Sequence, residues 1–120
     1  MRRVVYVAIG ICAAVLLGVG DPAAVALRAS PSVGFEPADI RFTIVIDPHP
    51  DNRVACLAWD SADGDAGQSC WEVDGDSART TERRIRVGSG DYEAVLVVAR
   101  VGGQQIQAKT QFRVLRSGPE

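Results

Sequence analysis

The sequence predicts an all-β fold: one antiparallel β-sandwich of about seven strands behind an N-terminal hydrophobic segment. Three observations carry this. Apolar and polar residues alternate with a period of two in several stretches, most clearly in 39–47 and 104–115. Clusters of Gly, Pro, Asp and Ser separate those stretches at the short intervals of a sandwich. No stretch beyond residue 26 shows a convincing helical period. The 120 residues, 47% apolar and 23% charged, are enough for one domain with a real core.

Arg2 and Arg3 open the chain, and 17 residues without a charge follow, from Val4 to Gly20. Asp21-Pro22 ends the run, and Ala24-Val25-Ala26 comes next. A positive start, an apolar middle and an A-x-A site are the marks of a secretory signal peptide, cut here after Ala26. The alternative is an uncleaved anchor, since such a run lies at the short end of the roughly 17–25 residues that span a bilayer. Both readings keep the arginines in the cytoplasm and export the remainder. The domain is therefore expected to be periplasmic, secreted or membrane-anchored outside the cytoplasm. Cys12 follows Ile11 inside the run and reads as an ordinary apolar position rather than a lipid-anchor site. The expected organisation is a signal or anchor at 1–26, a linker at 27–36, the sandwich at 37–115 and a tail at 116–120; Leu27 to Pro37, with Pro31, Gly34 and Pro37, reads either as that linker or as an irregular first strand.

The first strand, 39–47, sets Ile40, Phe42, Ile44 and Ile46 on one face. Pro48 and Pro50 end it, because neither can continue a ladder. Residues 53–60 (RVACLAWD) make a second strand, SADGDAGQ a polar loop, and 70–74 (CWEVD) a third strand. In 82–87, Ile85 and Val87 point inward while Arg84 and Arg86 point outward. Residues 91–101 form a long strand, Gly102-Gly103 signals a hairpin, and 104–115 alternates again. A two-residue turn would put Val95 and Val97 on the face of Ile106. A three-residue loop, Gly102 to Gln104, instead keeps Tyr92, Ala94, Leu96 and Val98 inward with Phe112. That register leaves Val95 and Val97 as an apolar stripe on the outer face, a possible partner contact.

Cys56 and Cys70 are the thiols that remain outside the apolar run. In an exported chain they read as a structural disulfide. The closed loop of about 15 residues is worth roughly 3 kcal/mol in the chain-entropy model. Parity turns both sulfurs to the outer face, away from Leu57, Trp59, Trp71 and Val73.

At Val87-Gly88-Ser89-Gly90-Asp91-Tyr92 the chain resembles the tyrosine corner of immunoglobulin-like and fibronectin type III-like domains. SCWEVDG, then GSGDYEAVLVV, then a Gly-Gly hairpin, is similar to bacterial Ig-like modules of cell-envelope proteins. The resemblance covers about residues 37–115. It implies an Ig-like sandwich, with Tyr92 as the corner residue and a role in the bacterial envelope. Ala94 stands where an antibody-type domain has its second cysteine, so the Cys56–Cys70 pair is placed differently.

Constellations for chemistry are sparse. His49 is the single His and sits between two prolines in a turn, with nothing to orient it as a base. No nucleophile elbow is present. Asp60, Asp63 and Asp65 form a weak calcium candidate, but the EF-hand spacing fails and Trp71 holds its twelfth position. Arg79, Arg83, Arg84 and Arg86 are interrupted by Glu82 in a chain of net charge −2, which reads as a solvated face rather than a nucleic-acid surface. Parity makes Trp59, Trp71 and Tyr92 core residues rather than a sugar-stacking platform. The resulting expectation is a non-enzymatic exported Ig-like module without a cofactor. It serves protein interaction or structural support, and its partner is another envelope or extracellular protein. Membrane contact comes only through residues 4–20 if these are uncleaved. The alternative is a carbohydrate-binding sandwich whose partner is a glycan.

Overall fold

A computed structural model of the protein describes residues 24–117. The expected signal or anchor run and the last three residues of the expected tail lie outside the described residues. Eight strands follow one another: β1 (Val25–Ser30), β2 (Val33–Phe35), β3 (Ala38–Ile46), β4 (Asn52–Ser61), β5 (Ala66–Glu72), β6 (Thr80–Val87), β7 (Gly90–Arg100) and β8 (Gln105–Leu115). They form a three-stranded sheet in the order β1-β3-β6 and a five-stranded sheet in the order β2-β8-β7-β4-β5. Every pairing is antiparallel except the short parallel one between β2 and β8.

The core follows from the alternation. Ile40, Phe42 and Ile44 on β3 are fully buried, and so are Leu57 on β4 and Leu96 and Val98 on β7. The Phe42 ring meets Phe112 edge-on at 5.7 Å and Trp59 at 6.1 Å, while Tyr92 stacks on Phe112 at 4.8 Å. Edge-on and offset aromatic contacts of this kind add about 0.5–1.5 kcal/mol each beyond area burial. Arg83 closes one open side: its position opposite Phe42 turns it inward, and its guanidinium lies 4.3 Å from the Trp71 ring centre.

Two expectations change at the N-terminal side. Of the two readings of 27–36, linker or irregular first strand, the segment is mostly strand: β1 and β2 occupy it, which brings the described residues to eight strands. A polar, proline-bearing segment hides this because β1 alternates only over Val25, Leu27 and Ala29, and β2 is three residues long. The boundary at residue 26 also moves. Ala24 and Val25 are buried at 5% and 4% exposure, Val25 pairs with Ile46, and the Asp47 N–H donates to the Ala24 carbonyl at 2.8 Å. The sandwich therefore begins before the A-x-A site ends.

Two further boundaries shift. β5 begins at Ala66, so the loop expected at 61–68 shrinks to 62–65. The β7–β8 loop is three residues long, as the register argument requires, but it is Val101–Gly103 rather than Gly102–Gln104. The Arg100 N–H donates to the Gln104 carbonyl at 2.8 Å, and Gly102 and Gly103 take φ of 91° and 90°. Moving the loop by one residue preserves parity: Tyr92 pairs with Phe112 and Val98 with Ile106, all inward.

Candidate functional site

The two ends of the sandwich differ. One end holds Ala24, the 47–51 turn and the 101–103 turn. Asn52, 1% exposed, ties that end together: its amide donates to the Asp47 carbonyl at 3.2 Å and its Oδ1 accepts the Arg100 Nε–H at 2.9 Å. His49 stays within its own turn, where Nδ1 accepts the Asp51 N–H at 3.1 Å.

The other end is built around Tyr92. Its hydroxyl donates to the Gly88 carbonyl at 3.0 Å and accepts the Asp65 N–H at 2.9 Å. Asp65 Oδ2 in turn accepts the Gly88 N–H at 2.8 Å. Glu36 Oε1 accepts the Ser89 N–H at 3.1 Å, and that backbone bond holds the Glu36 carboxyl below its ordinary pKa. Burial pushes the Tyr92 phenol above its ordinary value, with the nearby Asp65 and Asp63 charges adding to the rise. Gly64 is required at this end, because a Cβ there would collide with the Tyr92 hydroxyl and the Ser89 carbonyl.

This arrangement separates the three aspartates of the calcium candidate. Asp65 is held against Gly88, and Asp63 Oδ1 accepts the Ser61 hydroxyl at 3.0 Å. Asp60 lies on the outer face of β4, opposite Glu93 of β7. Among the described residues no three His, Cys, Asp or Glu side chains come together as a metal site needs.

Asp60 opens onto a groove of about 680 Å³ on the outer face of the five-stranded sheet, lined also by Val33, Asp91, Glu93, Gln111 and Arg113. Arg113 Nε donates to Asp91 Oδ1 at 2.6 Å. Asp60 is 5% exposed, and its Oδ2 is shielded from solvent with no hydrogen-bond partner. Sequence reasoning placed Asp60 at the end of the 53–60 strand, grouped it with Asp63 and Asp65, and passed over Glu93. The signal lay in the register: once Trp59 faces inward, Asp60 must face outward, still on the strand.

Cys56 and Cys70 sit directly opposite each other on β4 and β5 and are bonded. The bridge lies on the outer face, the parity expected from sequence, and it joins neighbouring strands rather than the two sheets. Val95 and Val97 also face outward, but they are 7% and 4% exposed. The expected accessible stripe is thus corrected: β7 is central, with Val95 between Ala58 and Lys109 and Val97 between Cys56 and Gln107. Strands on both sides leave little of a Val open.

The basic residues disperse. Arg79 pairs with Asp47 at 2.9 Å, Arg86 with Asp39 at 3.4 Å, and Arg83 turns inward onto Trp71. None of these partners is in the acidic loop. Tyr92 is buried, and Trp59 and Trp71 are half-buried against the core, so they form no flat exposed platform.

No protein-family model matches this sequence, and no curated protein matches it. Among solved structures, the chain is similar to a superoxide reductase (neelaredoxin) from Ignicoccus hospitalis. That match has a TM-score of 0.57 and 12% identity, over 75% of this chain and 79% of that one. It is also similar to the sulfur carrier protein SoxY from Chlorobium limicola f thiosulfatophilum, with a TM-score of 0.55 and 16% identity, over 77% and 74%. At these identities the likeness shows the fold alone, a sandwich of the Ig-like type. It also corrects one expectation. The first of these structures is an enzyme, so the sandwich offers no ground for a non-enzymatic assignment, and that exclusion is withdrawn.

Proposed function

We propose that this chain is an exported Ig-like envelope module, similar to bacterial Ig-like and fibronectin type III-like domains. In this reading residues 4–20 hold it to the membrane as a retained anchor, and its Tyr92 end meets a protein partner. The observation that carries the reading is the start of the fold. Ala24 and Val25 belong to the core, so a cut after Ala26 would remove them from β1. Between the apolar run and Ala24 stand only Asp21, Pro22 and Ala23, a reach of about 10 Å at full extension. Anchored there, the sandwich would stand with Ala24, the 47–51 turn and the 101–103 turn toward the bilayer. β4 runs away from that end. From Asn52 to Asp60 it carries the acidic groove roughly 25 Å further out. Arg2 and Arg3 before the apolar run favour this orientation, and a disulfide suits an oxidising compartment.

The test is fractionation of cells expressing the full chain, with an alkaline wash of the membranes and protease added to intact spheroplasts. The reading expects the chain in the washed membrane pellet and open to protease from outside. Recovery in the soluble fraction, or protection from external protease, would contradict it.

A further inference from the structure

The outer face of the three-stranded sheet carries charge of the opposite sign to the chain as a whole. Arg28, Arg41, Arg84 and Arg86 are exposed there together with Asp39 and Glu82, in a chain of net charge −2. The register sorts them into rungs. Ser30 of β1 pairs with Arg41 of β3, and Arg41 pairs with Arg84 of β6. A hydroxyl and two guanidinium side chains therefore stand side by side on one rung. Side chains so placed have Cβ atoms about 4.5–5.5 Å apart, and like charges directly opposite each other are destabilising. The neighbouring carboxylates do not cancel this pair. Asp39, on the adjacent outward rung, is held by Arg86 at 3.4 Å. Glu82, one rung the other way, reaches Arg41 only at 4.0 Å, and both side chains are about half exposed. Arg84 makes no hydrogen bond or ion pair among the described residues. The rung also borders a hollow of about 250 Å³, walled by Pro31 and Ile40 and rimmed by Ser30, Asp39, Arg41 and Arg84.

We infer that this rung binds a phosphomonoester, with the guanidinium groups of Arg41 and Arg84 and the Ser30 hydroxyl as its donors. A phosphomonoester carries a charge of about −1.5 to −2 at pH 7 and three acceptor oxygens. That charge offsets both arginines, and the oxygens take donors from all three side chains at once. A carboxylate has one charge and two oxygens, which the fork of a single Arg already fills. The tetrahedral group thus matches the whole rung and the planar one only half of it. Pro31 and Ile40 give the hollow an apolar wall for the first carbons of the ester. Arg41 lies five residues from Ile46 along β3, roughly 17 Å from the turn-rich end of the sandwich. A soluble ester reaches it freely, whereas a headgroup of a membrane at the turn-rich end stays below it. The inference goes beyond the anchored-module reading and does not rest on it.

The experiment uses the full chain, isotope-labelled in nonionic detergent micelles at low salt and pH 7.5. It is titrated with glycerol 3-phosphate, with inorganic phosphate and with acetate, and the Ser30 amide and the Arg41 and Arg84 Nε–H signals are followed. Both phosphates are expected to shift these signals saturably and to bind at least about tenfold more tightly than acetate, the difference a second charged donor makes. Arg41→Gln and Arg84→Gln should each weaken glycerol 3-phosphate binding at least about tenfold. Arg28→Gln removes the same charge from the same face one rung away, and should weaken it less than about threefold. All three positions are exposed, and an unchanged set of β7 amide signals shows that each variant is folded. Micelles doped with phosphatidic acid present the same group on a lipid and are expected to leave the three signals in place. Shifts from the doped micelles alone would keep the chemistry and name a lipid as its source. The proposal is overturned if no phosphorylated probe shifts the signals saturably, if acetate binds as tightly, or if Arg28→Gln costs as much as Arg84→Gln, which would make the attraction a diffuse one. None of these outcomes depends on where the chain fractionates, so failure here and failure of the anchored-module reading are distinguishable.

Discussion

Tyr92 joins two loops through one hydroxyl, which donates to Gly88 and accepts from Asp65 in a site 2% exposed. Tyr92→Phe keeps the stack on Phe112 but leaves the Gly88 carbonyl and the Asp65 N–H without this partner. It should cost about 1–3 kcal/mol, measured by denaturant unfolding. The phenol also sets a pH dependence. Its folded pKa is raised, so the unfolded chain gives up the proton first as pH climbs. The stability it contributes is whole below the ordinary tyrosine value near 10 and is lost above it as pH rises through the folded pKa. A Tyr92→Phe chain should show a shallower loss of stability in that range; an unchanged slope would assign the loss to other groups. The Val-Gly-Ser-Gly-Asp-Tyr string suggested a corner, because small residues precede a Tyr that opens an apolar strand. It gave no sign that Asp65 closes the far side of that hydroxyl, since the two residues meet only after β4, β5, β6 and β7 have paired. Asp60 was legible only in type. Its burial depends on the neighbouring strands, and one sequence does not display them.

At the scale of elements, the long strands were readable and the short ones were not. β3 and β8 alternate over nine and eleven residues, so their faces follow from period two alone. β2 has three residues and pairs in parallel with β8, a tertiary choice that no local pattern marks. β1 was hidden because its first residue falls inside a segment that resembles a cleavage site. Two predictions belong here. Starting the chain at Leu27 removes buried Ala24 and Val25 and the last rungs between β1 and β3. It should lower stability by about 2–3 kcal/mol relative to a chain starting at Ala24, since burying one Val side chain is worth about 1.5–3 kcal/mol. Reducing the Cys56–Cys70 bridge should cost about 3 kcal/mol, and hydrogen exchange should accelerate first in β5. β5 lies at the edge of its sheet and pairs only with β4, so the bridge fastens the strand with the least support. Even loss of protection across all strands would show instead that the bridge acts through the unfolded chain alone.

For the whole molecule, the sandwich architecture and the inward register of β7 and β8 were within reach of the sequence, whereas the working surface was not. Outward parity made Val95 and Val97 look accessible, yet the middle of a five-stranded sheet covers them. One pair of rungs further along the outer face turns acidic, at Asp60 and Glu93, with Asp60 covered to the same degree as the two valines. Anchoring would turn this difference between the two ends into a direction, with the turn-rich end at the bilayer and the groove facing out. The measurement that tests this most directly is the intact mass of the polypeptide recovered from the envelope. The account predicts a chain that retains the apolar run from Val4 to Gly20 and fractionates with membrane. A soluble chain whose mass places its first residue at Leu27 would contradict it: β1 would then be dispensable at its start, and the sandwich would be released rather than held.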